Sequence, residues 1–313
     1  MNRLLRALTP WLCALPLLAA APAAVPQTTA ATQPKVLRVA FPVAETGFDP
    51  AQISDLYSRT ITAHIFEGLY RYDHLARPSK IRPLIAEAMP ETSADFRTWT
   101  IRIRPGVFFA DDPAFKGRKR ELVAQDFVYA IKRYADPALK SPAWGGVNEI
   151  GFTGLAALRQ RALDAKQPFD HDAPVEGITA PERYTLVLQL DAPRPRLLES
   201  LVGDLFGGIA REVVEFYGDR ISEHPVGTGP FKLGAWRRSS QIVLERNPAY
   251  REVLYDAEPA AGDAEGQALL AQLKGRKLPL VDRVEVSVIE EQQPRWLAFL
   301  NGQIDTIAVP GEF

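Results

Sequence analysis

The chain has 313 residues, 46% of them hydrophobic and 24% charged, and its 37 Lys and Arg against 38 Asp and Glu leave a net charge of −1. That is globular composition without a basic or acidic bias, so no nucleic-acid partner is expected. At this length about two domains of ordinary size are expected, each able to bury a core.

In chain order, residues 1–23 read as a cleaved secretory signal. Arg3 and Arg6 precede an apolar stretch from Ala7 to Leu18, and the small-residue run AAAPAA follows, with cleavage expected after Ala23. The stretch is too short to span a bilayer and is interrupted by Pro10 and Pro16. The single cysteine, Cys13, lies inside the signal, so the mature chain is expected to form no disulfide. Trp11 and Leu12 before it are not the small residues of a lipid-modified site. A soluble periplasmic protein is expected, with residues 24–35 as a flexible leader.

Order is expected from Val36. Leu37–Phe41, ended by Pro42, reads as a buried strand. Tyr57, Ile61, Ile65 and Leu69 recur every four residues, which predicts a helix that stops near Gly68, capped by Ser54 or Asp55. Trp99, Ile101 and Ile103 alternate with Thr100, Arg102 and Arg104, the period of a strand with one wet face. Phe127, Ala130, Ile131 and Tyr134 predict a helix that ends before Asp136-Pro137. Residues 151–174, broken by Gly154 and Pro168, read as a polar loop or insertion. Tyr184, Leu186, Leu188 and Leu190 predict a second half-buried strand, and Val284, Val286 and Val288 a third. Between them, Asp256–Pro279 reads as an insertion with one or two helical turns around Leu269, Leu270 and Leu273.

The segment HPVGTGPF, His224–Phe231, is the sharpest local signal. Gly227 and Gly229 flank Thr228 between Pro225 and Pro230, mixing positions open to positive φ with positions fixed near −65°. Taken alone it reads as a hairpin turn ahead of a strand at Lys232–Trp236. Its free N–H groups are available to a ligand or to brace a neighbouring helix.

Catalytic patterns are missing from the sequence: there is no G-x-S-x-G, H-E-x-x-H or Walker loop. Gly227-Thr228-Gly229 lacks the third glycine of a dinucleotide loop and precedes a strand, not a helix. His64, His74, His171 and His224 are scattered, and Asp111-Asp112 and Glu290-Glu291 are neighbours that point apart. Neither an enzyme nor a metal or cofactor site is expected.

The ordered succession FDPA (Phe48–Ala51), HIFEGLY (His64–Tyr70), WTIRIRPGVFF (Trp99–Phe109), LVAQDFVYAIKRYADP (Leu122–Pro137), GITAPERYTLVLQL (Gly177–Leu190), HPVGTGPFKL (His224–Leu233), IVLERNPAY (Ile242–Tyr250) and FLNGQID (Phe299–Asp305) resembles the family 5 extracellular solute-binding proteins. These are the oligopeptide- and dipeptide-binding receptors of ABC importers. The resemblance implies an α/β, periplasmic binding protein-like (type II) two-lobed fold with an extra subdomain. Such a receptor closes as a monomer around a peptide, without a cofactor, and delivers it to the transmembrane subunits of an ABC permease. Residues 36–76 and 183–313 are expected to form the first lobe and 77–182 an inserted subdomain, with the second lobe beyond Phe313. The alternatives are a truncated product that binds nothing, or a receptor for a nickel complex, haem or sugar.

By position, the resemblance places Ser54, Asp55 and Leu56 at the ligand backbone. It puts Trp144, in Ser141–Trp144, over the ligand, and Thr228 and Gly229 near the interlobe region. One departure stands out. Val123 occupies the place of a capping Thr, so a frayed helix start is expected, with Glu121 or water as the substitute cap.

Overall fold

A computed structural model describes residues 33–309 and Gly311. The signal, its cleavage site and Cys13 lie outside the described residues, as does most of the leader. In chain order, strand β1 (Val36–Phe41) leads through a loop to helix α1 (Leu56–Ile65), and β2 (Tyr70–Tyr72) turns back on β3 (Ile81–Pro83). Next come β4 (Glu91–Thr92), β5 (Thr98–Arg102) and three helices, α2 (Ala124–Ala135), α3 (Trp144–Ile150) and α4 (Leu155–Ala165). β6 (Ile178–Glu182) and β7 (Thr185–Gln189) follow, then the short helices α5 (Leu197–Ser200) and α6 (Arg211–Tyr217). The last stretch holds β8 (Phe231–Arg237), β9 (Gln241–Arg246), α7 (Ala264–Leu273), β10 (Arg283–Val288) and α8 (Gln292–Leu300).

The first sheet runs β1-β10-β9-β8. β1 pairs in parallel with β10, placing Val39 beside Val286, so the two ends of the described chain meet in one sheet. Both strands fit a pleated, half-buried surface because apolar residues recur every second position, Leu37, Val39 and Phe41 in β1 beside Val284, Val286 and Val288 in β10. α1 lays Ile61 and Ile65 on this sheet against Phe231, Ile242, Leu244 and Val286. Full burial of each such side chain contributes about 1.5–3 kcal/mol. The second sheet runs β4-β5-β7-β6, and its inward Trp99, Ile101, Leu186 and Leu188 pack with Phe127, Ile131 and Tyr134 of α2.

α2 joins the two cores, since its Tyr129 and Ala130 belong to the first while Phe127, Ile131 and Tyr134 belong to the second. It is also pinned by charge. The Arg133 guanidinium donates to both carboxylate oxygens of Asp49, at 2.7 and 2.8 Å, with each side chain 1% exposed. A bidentate Arg–carboxylate pair of this kind satisfies both ions where water cannot reach them.

Several expectations need correction. α1 ends at Ile65, where the Phe66 N–H still reaches the Thr62 carbonyl; Leu69 is buried, but in the extended approach to β2. The 151–174 segment is not a plain loop, because α4 occupies eleven residues of it. α7 covers ten residues and, with Leu75, Tyr255 and Ala257, builds a small core of its own from Leu270 and Leu273. The start of α2 is not frayed. Asp126 accepts from the Val123 N–H at 2.8 Å, Arg120 holds that carboxylate at 2.6 and 3.0 Å, and the Ala124 N–H reaches the Arg183 carbonyl at 2.9 Å. Glu121 does not cap the helix, since it accepts from the Gly106 N–H, Arg183 and the Tyr184 hydroxyl instead. β6 and β7 form a hairpin on either side of the 182–183 position, and β7 pairs with β5 from Thr98 to Arg102.

Candidate functional site

The residues singled out in the sequence gather at the two ends of α1, with Trp144 apart from both. At the N-terminal end, Asp55 is the cap: its carboxylate accepts from the Ser58 N–H at 2.7 Å and from the Thr46 hydroxyl at 2.6 Å. Burial opposes ionisation of this carboxyl, but those hydrogen bonds outweigh it and hold the group below the ordinary carboxylate range. The Ser58 hydroxyl in turn accepts from the Thr46 N–H at 2.9 Å, which fixes the loop before the helix. Ser54 and Leu56 flank the cap on the surface, Leu56 with 70% of its area exposed. Here the N–H groups of Leu56 and Tyr57 have no hydrogen-bond partner among the described residues and lie at the positive end of the helix dipole, beside the exposed Leu56 side chain.

At the other end, about 15 Å along a ten-residue helix, lies the HPVGTGPF loop. It is not a hairpin turn, and neither of its glycines takes a positive φ. They are required for close approach: a Cβ at Gly227 would stand 2.0 Å from the Ile65 carbonyl oxygen, and one at Gly229 2.5 Å from that of His64. The Gly229 N–H donates to the Ile65 carbonyl at 2.8 Å, closing an orphan acceptor of the helix end. The bracing role therefore describes the contact that Gly229 makes.

Thr228 is 4% exposed and donates its hydroxyl to Glu67 at 3.0 Å. Arg251 grips the same carboxylate with both arms, at 2.7 and 3.0 Å. Burial together with this neighbouring carboxylate pushes the Tyr250 hydroxyl above its usual pKa. Asn247 ties the loop from behind by donating to the Gly229 carbonyl at 2.8 Å. Glu67 and Arg251 were not singled out in the sequence. The available signal was a lone carboxylate within the apolar run IFEGLY.

Trp144 opens α3, is half-buried against the second core, and carries the Arg159 guanidinium over its ring at 5.0 Å. The histidines stand in four separate settings. His64 lies edge-on to Phe231, the His74 Nδ1 bonds the Tyr255 hydroxyl, the His171 Nε2 faces Asp136, and His224 stacks on Tyr217. Among the described residues no group of three His, Cys, Asp or Glu could hold a metal ion, and no helix is long and apolar enough to cross a membrane.

A family model described as bacterial extracellular solute-binding proteins, family 5 Middle, matches residues 80–312. The periplasmic oligopeptide-binding protein OppA of Salmonella typhimurium is 28% identical over 204 residues, which cover 64% of this chain and 34% of that protein. Di/tripeptide-binding protein 2 of Pseudomonas aeruginosa is 29% identical over 225 residues, covering 70% and 39%. Among solved structures, the Haemophilus influenzae OppA complex with RPPGFSPFR superposes with a TM-score of 0.66 at 22% identity, over 87% of this chain and 45% of that one. The substrate-binding domain of an oligopeptide ABC transporter from Bacillus anthracis gives 0.68 at 20% identity, over 90% and 46%. The chain thus spans about a third of the curated relatives it matches and under half of the solved ones. Its mixed helix and sheet architecture is that of the OppA-like periplasmic binding proteins. With 80–312 matched, most of its length, the chain belongs to the bacterial extracellular solute-binding proteins of family 5.

Proposed function

We propose that this chain is the N-terminal portion of a periplasmic receptor that binds di- or oligopeptides between two lobes and hands them to an ABC permease, without catalysis. The observation that carries the proposal is the outward-facing start of α1. Ser54 and Leu56 lie on the surface, and because the Asp55 side chain takes only the Ser58 N–H, those of Leu56 and Tyr57 are left as donors beside an apolar side chain. A peptide backbone offers carbonyl acceptors and alternating side chains, which such a surface suits. Trp144 is proposed as an aromatic wall supplied by the inserted subdomain. Thr228 and Gly229 are proposed as positioning residues, because Glu67 and Ile65 already take their donors.

The first lobe is proposed to comprise residues 36–76 and 191–313, with 77–190 as the inserted subdomain, so that the β5–β7 pairing stays within one unit. Isothermal titration of the full-length gene product with trialanine and a mixed set of tri- to pentapeptides tests the function. Saturable peptide binding that weakens in Leu56→Asp is expected. Binding of a nickel complex, haem or a sugar with no peptide response overturns the peptide reading, and no binding of any solute overturns the receptor reading altogether.

A further inference from the structure

Beyond the last turn of α1, at the end opposite Ser54, a groove of about 540 Å³ opens to the surface, within the roughly 300–1,000 Å³ range of small-molecule sites. Its floor is backbone against backbone: a Cβ at Gly68 would stand 2.0 Å from the Gly203 carbonyl oxygen. The β2–β3 hairpin forms one wall and presents Arg71 and Tyr72; Leu278–Leu280 form the other, with Phe231 and Tyr250 between them. This second wall is braced before any ligand arrives. The Leu278 N–H donates to the Val253 carbonyl at 2.8 Å, and Arg246 donates to the carbonyls of Pro279 and Val281 at 2.8 and 3.2 Å.

Among the described residues, one cation at the groove has no acidic partner. Its carboxylates are matched, Glu67 by both arms of Arg251 and Asp204 by the Thr62 hydroxyl and by Arg59 at 3.6 Å. Next to them Arg82 is matched by Asp73 and Asp256. Arg71 stands in none of these pairs, yet it lies directly opposite Arg82 in the hairpin register. Asp73 and Asp256 are both engaged by Arg82, so its cross-strand neighbour Arg71 is left without an acidic partner among the described residues. A carboxylate matches the guanidinium fork in two parallel hydrogen bonds.

We propose that this groove is a second binding site, separate from the peptide surface at the start of α1. It takes a small organic carboxylate with an aliphatic or aromatic body. The carboxylate sits on Arg71, and the body covers Phe231, Leu280 and the ring of Tyr72. The proposal does not depend on peptide binding and survives its failure.

Isothermal titration with octanoate, and with octanamide as its uncharged isostere, tests it on the whole chain. One saturable octanoate site is expected, with octanamide about tenfold weaker, the loss of one charge-assisted contact. Arg71→Gln, checked for native circular dichroism, is expected to abolish that preference, while Leu56→Asp leaves octanoate binding unchanged. Four outcomes overturn the proposal: no saturation by octanoate, equal binding of the amide by the unaltered chain, an undiminished preference in Arg71→Gln, or weakening by Leu56→Asp. A concentration-dependent dimer that Arg71→Gln dissolves also overturns it, because a second copy then fills the groove.

Discussion

At Gly227 and Gly229 the constraint is contact, and this separates them from glycines held by backbone angle. Replacing Gly227 with Ala drives a methyl group to 2.0 Å from a backbone carbonyl that a helix holds in place. The helix or the loop must shift, at a cost of about 1–3 kcal/mol. Gly145→Ala is the control, since it lies in α3 with nothing within 4 Å of the added Cβ. It is expected to be neutral or to stabilise by about 0.5–1 kcal/mol through helix propensity. Urea denaturation of the two variants checks the contrast, and equal midpoints would refute the contact argument. Asp55→Ala removes the cap of α1 and is expected to cost about 1 kcal/mol, seen in the same melts.

Among the elements, the hairpin β2–β3 and the 256–279 segment are joined through Asp73. Burial opposes ionisation of its carboxyl, but the N–H groups of Glu258, Leu75 and Ala76 and the Arg82 guanidinium together hold it at about 2. The folded value lies below the ordinary carboxyl value of 3.8, so ionised Asp73 stabilises the fold above that ordinary value. That contribution is lost as pH falls from about 4 toward 2. Hydrogen exchange at residues 255–279 is expected to accelerate across this window, and Asp73→Asn is expected to flatten the dependence. Unchanged protection down to pH 2 would remove Asp73 as the joint. Strands β5 and β7 were legible because Trp99, Ile101, Leu186 and Leu188 alternate with less buried residues. α4 was not legible. Only Leu155 and Leu158 are buried on it, and a glycine at its cap looks like a loop. In the candidate site, the Asp55 cap and the loop at Thr228 could be read from local spacing. The Glu67–Arg251 pair spans 184 residues, and no local pattern reports such a contact. Arg71 was invisible for a related reason, since its standing outside the ion pairs of the described residues is a property of the folded surroundings.

For the molecule as a whole, the cohesion of the two cores depends on α2 and on the buried pair between Arg133 and Asp49. The loop carrying Asp49 also carries Phe48, whose ring meets Trp236 of β8 at 4.7 Å, so the ion pair links α2 to the first sheet. Removing one charge leaves the other in a site with 1% exposure, where no water can replace the lost partner. Asp49→Asn is therefore expected to destabilise the chain by about 3–5 kcal/mol. The double replacement Asp49→Leu with Arg133→Met removes both charges and keeps the volume apolar, and it is expected to recover most of that loss. A double-mutant cycle in urea checks this, with Asp49→Leu and Arg133→Met as the two single variants. If the double variant is as unstable as the sum of the two single ones, the cost comes from lost packing and not from an unpaired charge. Recovery would show that the pair fixes how α2 meets the first sheet while adding little net stability over an apolar contact.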